Sequence, residues 1–203
     1  MVNSIDVEGF NIALNEARLL NVEFDPIIRR AIISLNVLSL PVDKFPSENS
    51  LVQIDLHSVN HFIGIYKIGR WDDPKAEIKK FDNENLSEIV QSFGGLPIYG
   101  SDFLQLKQDE KNKDFGDISF EYCFNEENNY KLWLFQASDD RYLEFHIWFN
   151  QMAIRNSEVG ILLIEQFIAG GKRFWEGINK NDFRVQGYGI YPLKDKNIED
   201  DKE

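Results

Sequence analysis

The chain is poor in cysteine, in cations relative to anions, and in long uninterrupted apolar runs. Cys123 is the only cysteine among 203 residues, so no internal disulfide can form. A lone cysteine in a chain of this length fits a reducing compartment better than secretion. No stretch reaches the ~18 apolar residues that a membrane helix requires. The richest run, AIISLNVLSLPV, is interrupted by Ser34, Asn36, Ser39 and Pro41. The opening residues show neither a basic region nor a continuous apolar segment of the signal-peptide kind. These absences predict a cytoplasmic protein with no membrane association.

Cations are outnumbered: 22 Lys and Arg stand against 34 Asp and Glu, for a net charge of −12 and a pI near 4.7. A field of this sign repels phosphate backbones, which argues against nucleic acid as a partner. It favours encounter with a basic protein. Solubility alone is the competing explanation of the charge.

Catalytic and cofactor signatures are also missing. There is no G-x-S-x-G elbow and no phosphate-binding G-x-x-x-x-G-K-[ST] loop. No cofactor and no metal ion is expected. His57 and His61 have a four-residue spacing, but the flanks read as strands, where that spacing spans ~13 Å. Only a tight turn at Val59-Asn60 would bring the two side by side. Cys123 has no activating cation beside it in the sequence, and is expected to be an inert, half-buried thiol.

What is present is hydrophobic content of 43% and aromatic content of 13%, with 16 phenylalanines, enough for a packed core. A prior of ~150 residues per domain gives a single domain, placed at 1–193. The residues after it, 194–203, form a charged tail expected to fray. Residues 17–24 and 30–40 read as a hairpin about Asp25-Pro26, and 51–56 and 62–68 as a second pair about residues 58–60. A helix is predicted over 86–93, where Leu86, Ile89, Val90 and Phe93 share one face and Asn85 with Glu88 matches a capping box. A meander of strands follows over about 118–155. Two short helices, 162–168 and 172–178, are expected to be separated by Gly170-Gly171. The fold class is β-rich α+β, with antiparallel sheets built from hairpins and a few helices packed on them.

Within the meander, a turn at 138–141 places Ala137 opposite Tyr142. Trp133 then pairs with His146, Phe135 with Glu144, and Lys131 with Trp148. Leu132, Leu134, Phe145 and Ile147 fall on the other face. Phe120, Tyr122 and Phe124 are expected to join the face of Trp133. Lys131, Trp133, Phe135, Glu144, His146 and Trp148 are thus the candidate binding residues, as one layer of a core or as a partly open surface. Glu144 and His146 could orient a general base, but no nucleophile stands opposite. Gly170, Gly171, Lys172 and Arg173 are a weaker candidate for holding an anion, against a plain break between helices.

Three functions follow. The first is a binding protein of the inhibitor, immunity or accessory kind, steered onto a basic partner such as a nuclease or toxin domain. The second is a small-molecule-binding domain or hydrolase-like enzyme using Glu144 and His146 beside an aromatic pocket, with residues 94–100 as a lid. The third is an oligomerising structural subunit.

Overall fold

The computed structural model describes residues 5–47, 50–106, 115–124, 126–156 and 160–186. The charged tail at 194–203 lies outside them. The chain folds as a β-rich α+β domain with antiparallel sheets and few helices, as its alternating apolar patterns imply.

A short helix, α1 (Val7–Leu14), comes first, opened by the Asp6 side chain, which accepts from the Gly9 N–H at 2.9 Å. Strands β1 (Arg18–Asp25) and β2 (Arg30–Asn36) form the predicted hairpin. β2 alternates strictly, burying Ala31, Ile33 and Leu35 on one face. β3 (Leu51–His57) adds to β2. β4 (His61–Ile68) was expected to pair with β3, and it does not: it belongs to the other sheet. Residues 61–65 are all buried, so both faces of the strand need cover: Phe62 enters the inter-sheet core, and Ile63 and Ile65 pack with Trp148, Phe115 and Ile118 on the outer face. The chain crosses between sheets at Ser58, which takes a φ of 50°, while the Val59 N–H bonds to the Arg29 carbonyl and the Asn60 N–H to that of Trp148.

The second sheet has the order β5 (Glu77–Ile78), β4, β9 (Arg141–Phe149), β8 (Tyr130–Ala137) and β6 (Gly100–Gln105). β7 (Phe120–Cys123) pairs with β4 rather than with β8, so the predicted three-strand meander is a hairpin of β8 and β9 plus a strand placed elsewhere. The β8–β9 register is the expected one at all four named pairs. After Asn150 the chain crosses back. β10 (Gln151–Asn156) and β11 (Gly160–Leu162) complete the first sheet in the order β1-β2-β3-β10-β11.

The two sheets face each other across one core. Phe24 of the first meets Phe62 of the second edge-on at 5.1 Å, and Ile33, Ile54, Leu132, Phe145 and Ile147 are fully or almost fully buried between them. Helix α2 (Leu86–Gln91) covers β1 in the predicted place. Its expected capping box is absent: the Asn85 side chain accepts instead from the Asp82 N–H.

The largest correction concerns the last helix. α3 (Ile164–Asn179) runs unbroken through Gly170-Gly171 where two helices were expected. The glycines serve approach, not interruption. A Cβ on Gly171 would lie 2.5 Å from the Ala13 Cα, and one on Gly170 would collide with the Ser39 hydroxyl. Tertiary packing against α1 therefore outweighs the ~1 kcal/mol propensity cost that glycine carries in a helix.

Candidate functional site

β8 and β9 do bring the six predicted binding residues together, on the outer face of the second sheet, away from the inter-sheet core. The rings form a continuous strip. Phe135 stacks on Trp133 at 6.1 Å, Trp133 lies 6.4 Å from His146, and His146 lies 6.2 Å from Trp148. His61 extends it, stacked on Trp148 at 4.7 Å. The strip is partly roofed: Phe115 sits 4.5 Å from His146 and 5.8 Å from Trp148, and the Lys131 ammonium lies 4.6 Å from the Trp148 ring centre.

The polar groups of this face are engaged with one another. Trp133 Nε1 donates to Glu144 Oε2 at 3.3 Å, and His146 Nε2 lies 3.3 Å from the same oxygen. Burial pushes the Glu144 carboxyl up, but the bonds from His146 and Trp133 and the field of Lys67 outweigh it and hold it below its ordinary range. An ionised carboxylate held this way positions rings; a general acid would need the opposite shift. His61 pairs through Nε2 with Glu121 Oε1 at 2.9 Å.

Several expectations change here. Phe120 and Tyr122 turn to the inner side, where they meet Phe24 and Phe62, and Phe124 lies beyond the strand. The cause is that β7 pairs with β4, in the register Phe62 to Tyr122. Cys123 is exposed rather than half-buried, because β7 lies beside β4 at the margin of the sheet. His57 and His61 do not meet. They lie on different sheets, His57 beside Asp55 and His61 on Trp148.

Gly170 and Gly171 lie inside α3, so they present no helix N-terminus to an anion. Lys172 pairs with Asp6 at 2.6 Å, and Arg173 Nε donates to the Leu40 carbonyl at 2.9 Å. Gly170 and Arg173 do line a cleft of about 890 Å³ between α3, β11 and the β2–β3 connection. A second cleft of about 400 Å³ adjoins it, sharing Leu51, Val52 and Asn156. None of the six residues of the aromatic strip lines either cleft.

Ile27 is the most exposed large apolar side chain among the described residues, which was not foreseen. At the tip of the β1–β2 hairpin, Ile27 is 90% and Ile28 60% exposed, and Phe124 beside them is 46% exposed. The tip is held firmly. Asp25 Oδ1 accepts from the N–H groups of Ile27 and Ile28 at 2.9 and 3.2 Å, and Tyr122 Oη donates to the Pro26 carbonyl at 3.1 Å. Arg29, at a φ of 54°, donates to Asn60 Oδ1 at 3.1 Å and Glu126 Oε2 at 2.8 Å, with its guanidinium 4.5 Å from the Phe124 ring centre. The exposed carboxylates of Asp25 and Glu126 lie at the tip, Glu126 paired with Arg29 and Asp25 opposite Arg30 in the hairpin ladder. The sequence signal was present: two adjacent isoleucines directly after the Asp25-Pro26 turn, where polar residues are the rule.

No protein-family model, no curated protein and no solved structure matches the chain. Function therefore rests on the geometry.

Proposed function

We propose that this is a non-enzymatic binding protein that docks a basic protein partner through the β1–β2 hairpin tip, in the manner of an inhibitor, immunity or accessory protein. The observation that carries this reading is a hydrogen-bonded turn presenting Ile27 and Ile28 to solvent beside the exposed carboxylates of Asp25 and Glu126. Exposed apolar side chains cost solubility, and a turn that fixes them in place lowers the entropy lost when a partner covers them. The carboxylates steer a lysine- or arginine-rich surface toward the tip, and the isoleucines and Phe124 provide the anchors buried on contact. The aromatic strip on the second sheet acts as a stiff outer layer in this reading, since its carboxylate and imidazole are engaged with one another and with its rings. The setting proposed for such a partner is cytoplasmic, in keeping with a lone cysteine, Cys123.

The test is differential capture at low salt. Wild-type protein is expected to retain a basic protein that Ile27→Asp/Ile28→Asp loses, while Glu84→Gln/Glu88→Gln, on the far side of β1, keeps it. Equal retention by the tip variant, or retention insensitive to salt, would falsify the reading.

A further inference from the structure

We propose that the outer face of the first sheet carries a binding site for the oxyanion group, phosphate or carboxylate, of a small molecule, centred on Arg155. This site is independent of the hairpin tip and of the protein partner argued above.

Its foundation is Asp55, on the central strand β3. The side chain points outward yet is only 1% exposed, because cationic and imidazole groups cover it. Arg30 grips both oxygens, Nε to Oδ1 at 2.6 Å and Nη2 to Oδ2 at 2.7 Å. That fork neutralises the carboxylate and fills two of its roughly four acceptor sites. Two further groups converge on it: His57 Nε2 at 3.2 Å from Oδ1, and Arg155 Nη2 at 3.0 Å from Oδ2. Arg155 is 49% exposed, and one of the five N–H donors of a guanidinium suffices for its contact with Asp55, so donors remain for a ligand.

The surroundings favour an anion on the Arg155 side. Glu23 acts on Arg30 from the β1 edge. Arg155, on β10, has uncharged neighbours across both ladders, Gln53 on β3 and Ile161 on β11. The 400 Å³ cleft opens beside it, and Ser34, Gln53 and Asn156 supply hydroxyl and carboxamide groups to the walls. That volume lies within the range of small-molecule sites, ~300–1,000 Å³. The contiguous larger cleft, lined by Lys44 and Arg173 but also by Glu165, has room for the rest of a ligand. The chain as a whole repels anions at −12, but that field is screened over ~8 Å in physiological salt, so close contacts at one site decide the outcome.

The test is a titration of the ¹⁵N-labelled protein with inorganic phosphate and, separately, with malonate, at ionic strength held constant with chloride. The Arg155 Nε–H resonance is expected to shift saturably with at least one of them. Saturation by phosphate marks a phosphorylated ligand, and saturation by malonate a carboxylate. Arg155→Gln, which leaves the Arg30–Asp55 fork in place and is followed through the backbone amides of Gln53 and Asn156, is expected to weaken binding about tenfold or more, the scale of a lost charge-assisted hydrogen bond. Gln53→Ala, at an exposed position, is expected to weaken it less. Linear shifts in both titrations, or equal affinity in Arg155→Gln, would overturn the proposal.

Discussion

Ile27 contributes almost nothing to the fold and much to the proposed contact, and the two roles can be separated at that one residue. A side chain 90% exposed leaves stability within ~0.5 kcal/mol when truncated. Ile27→Ala is therefore expected to melt with the wild type and still bind its partner more weakly, by about 1–3 kcal/mol for a buried isoleucine. Thermal melts alongside a binding isotherm check both halves. Asp55 shows the reverse balance. Burial raises its pKa, but the Arg30 bonds and the fields of His57, Arg30 and Arg155 outweigh that and hold it below the ordinary aspartate range. A carboxyl depressed in the folded state stabilises above its unfolded pKa, ~3.9, and the gain is lost as pH falls through the lower folded value. Asp55→Asn is expected to cost on the order of 2–4 kcal/mol at neutral pH. In urea denaturation that gap should narrow in acid below pH ~4; a constant gap would show that Asp55 acts through shape and not through charge.

At the scale of elements, the contact of α1 with α3 depends on Gly171. A methyl there gains ~1 kcal/mol of helix propensity but forces a Cβ against Ala13, and overpacking costs ~1–3 kcal/mol. Gly171→Ala is expected to lower the urea midpoint; a raised midpoint would show that α1 can slide away freely. The same helix marks a limit of legibility. Gly-Gly looks like a break because local propensity is visible in a sequence and the backbone of α1 is not. The β8–β9 hairpin was legible down to its register because a polar turn and strict alternation over Trp133, Phe135, Glu144 and His146 are local facts. The partners of β3, β4 and β7 were not, since which sheet a strand joins depends on contacts far along the chain. The candidate site divides in the same way. The aromatic strip could be assembled from neighbouring strands, whereas Asp55 meets Arg30 and Arg155 from strands 25 and 100 positions away in sequence. The exposure of Ile27 and Ile28 depends on Asp25 and Tyr122 locking the turn, which alternation cannot reveal.

For the whole molecule, the open issue is whether the −12 charge acts as a uniform cloud or is focused at the hairpin tip. A uniform cloud would make every acidic residue equivalent for the encounter with a basic partner. Focusing would make position matter at constant net charge. Glu126→Lys/Glu127→Lys and Glu84→Lys/Glu88→Lys change the net charge equally, one pair beside Phe124 and the other on the α2 side of the molecule. If the tip is the docking surface, the first pair slows association with the captured partner by about tenfold, within the range by which steering alters on-rates, and flattens its salt dependence. The second pair has a smaller effect. Ile27→Ala should leave association nearly unchanged and speed dissociation, because apolar anchors act after encounter. Stopped-flow mixing at two ionic strengths separates the rates. Equal slowing by both charge reversals would assign the acidity to solubility and general attraction, and would leave the isoleucine tip without its steering field.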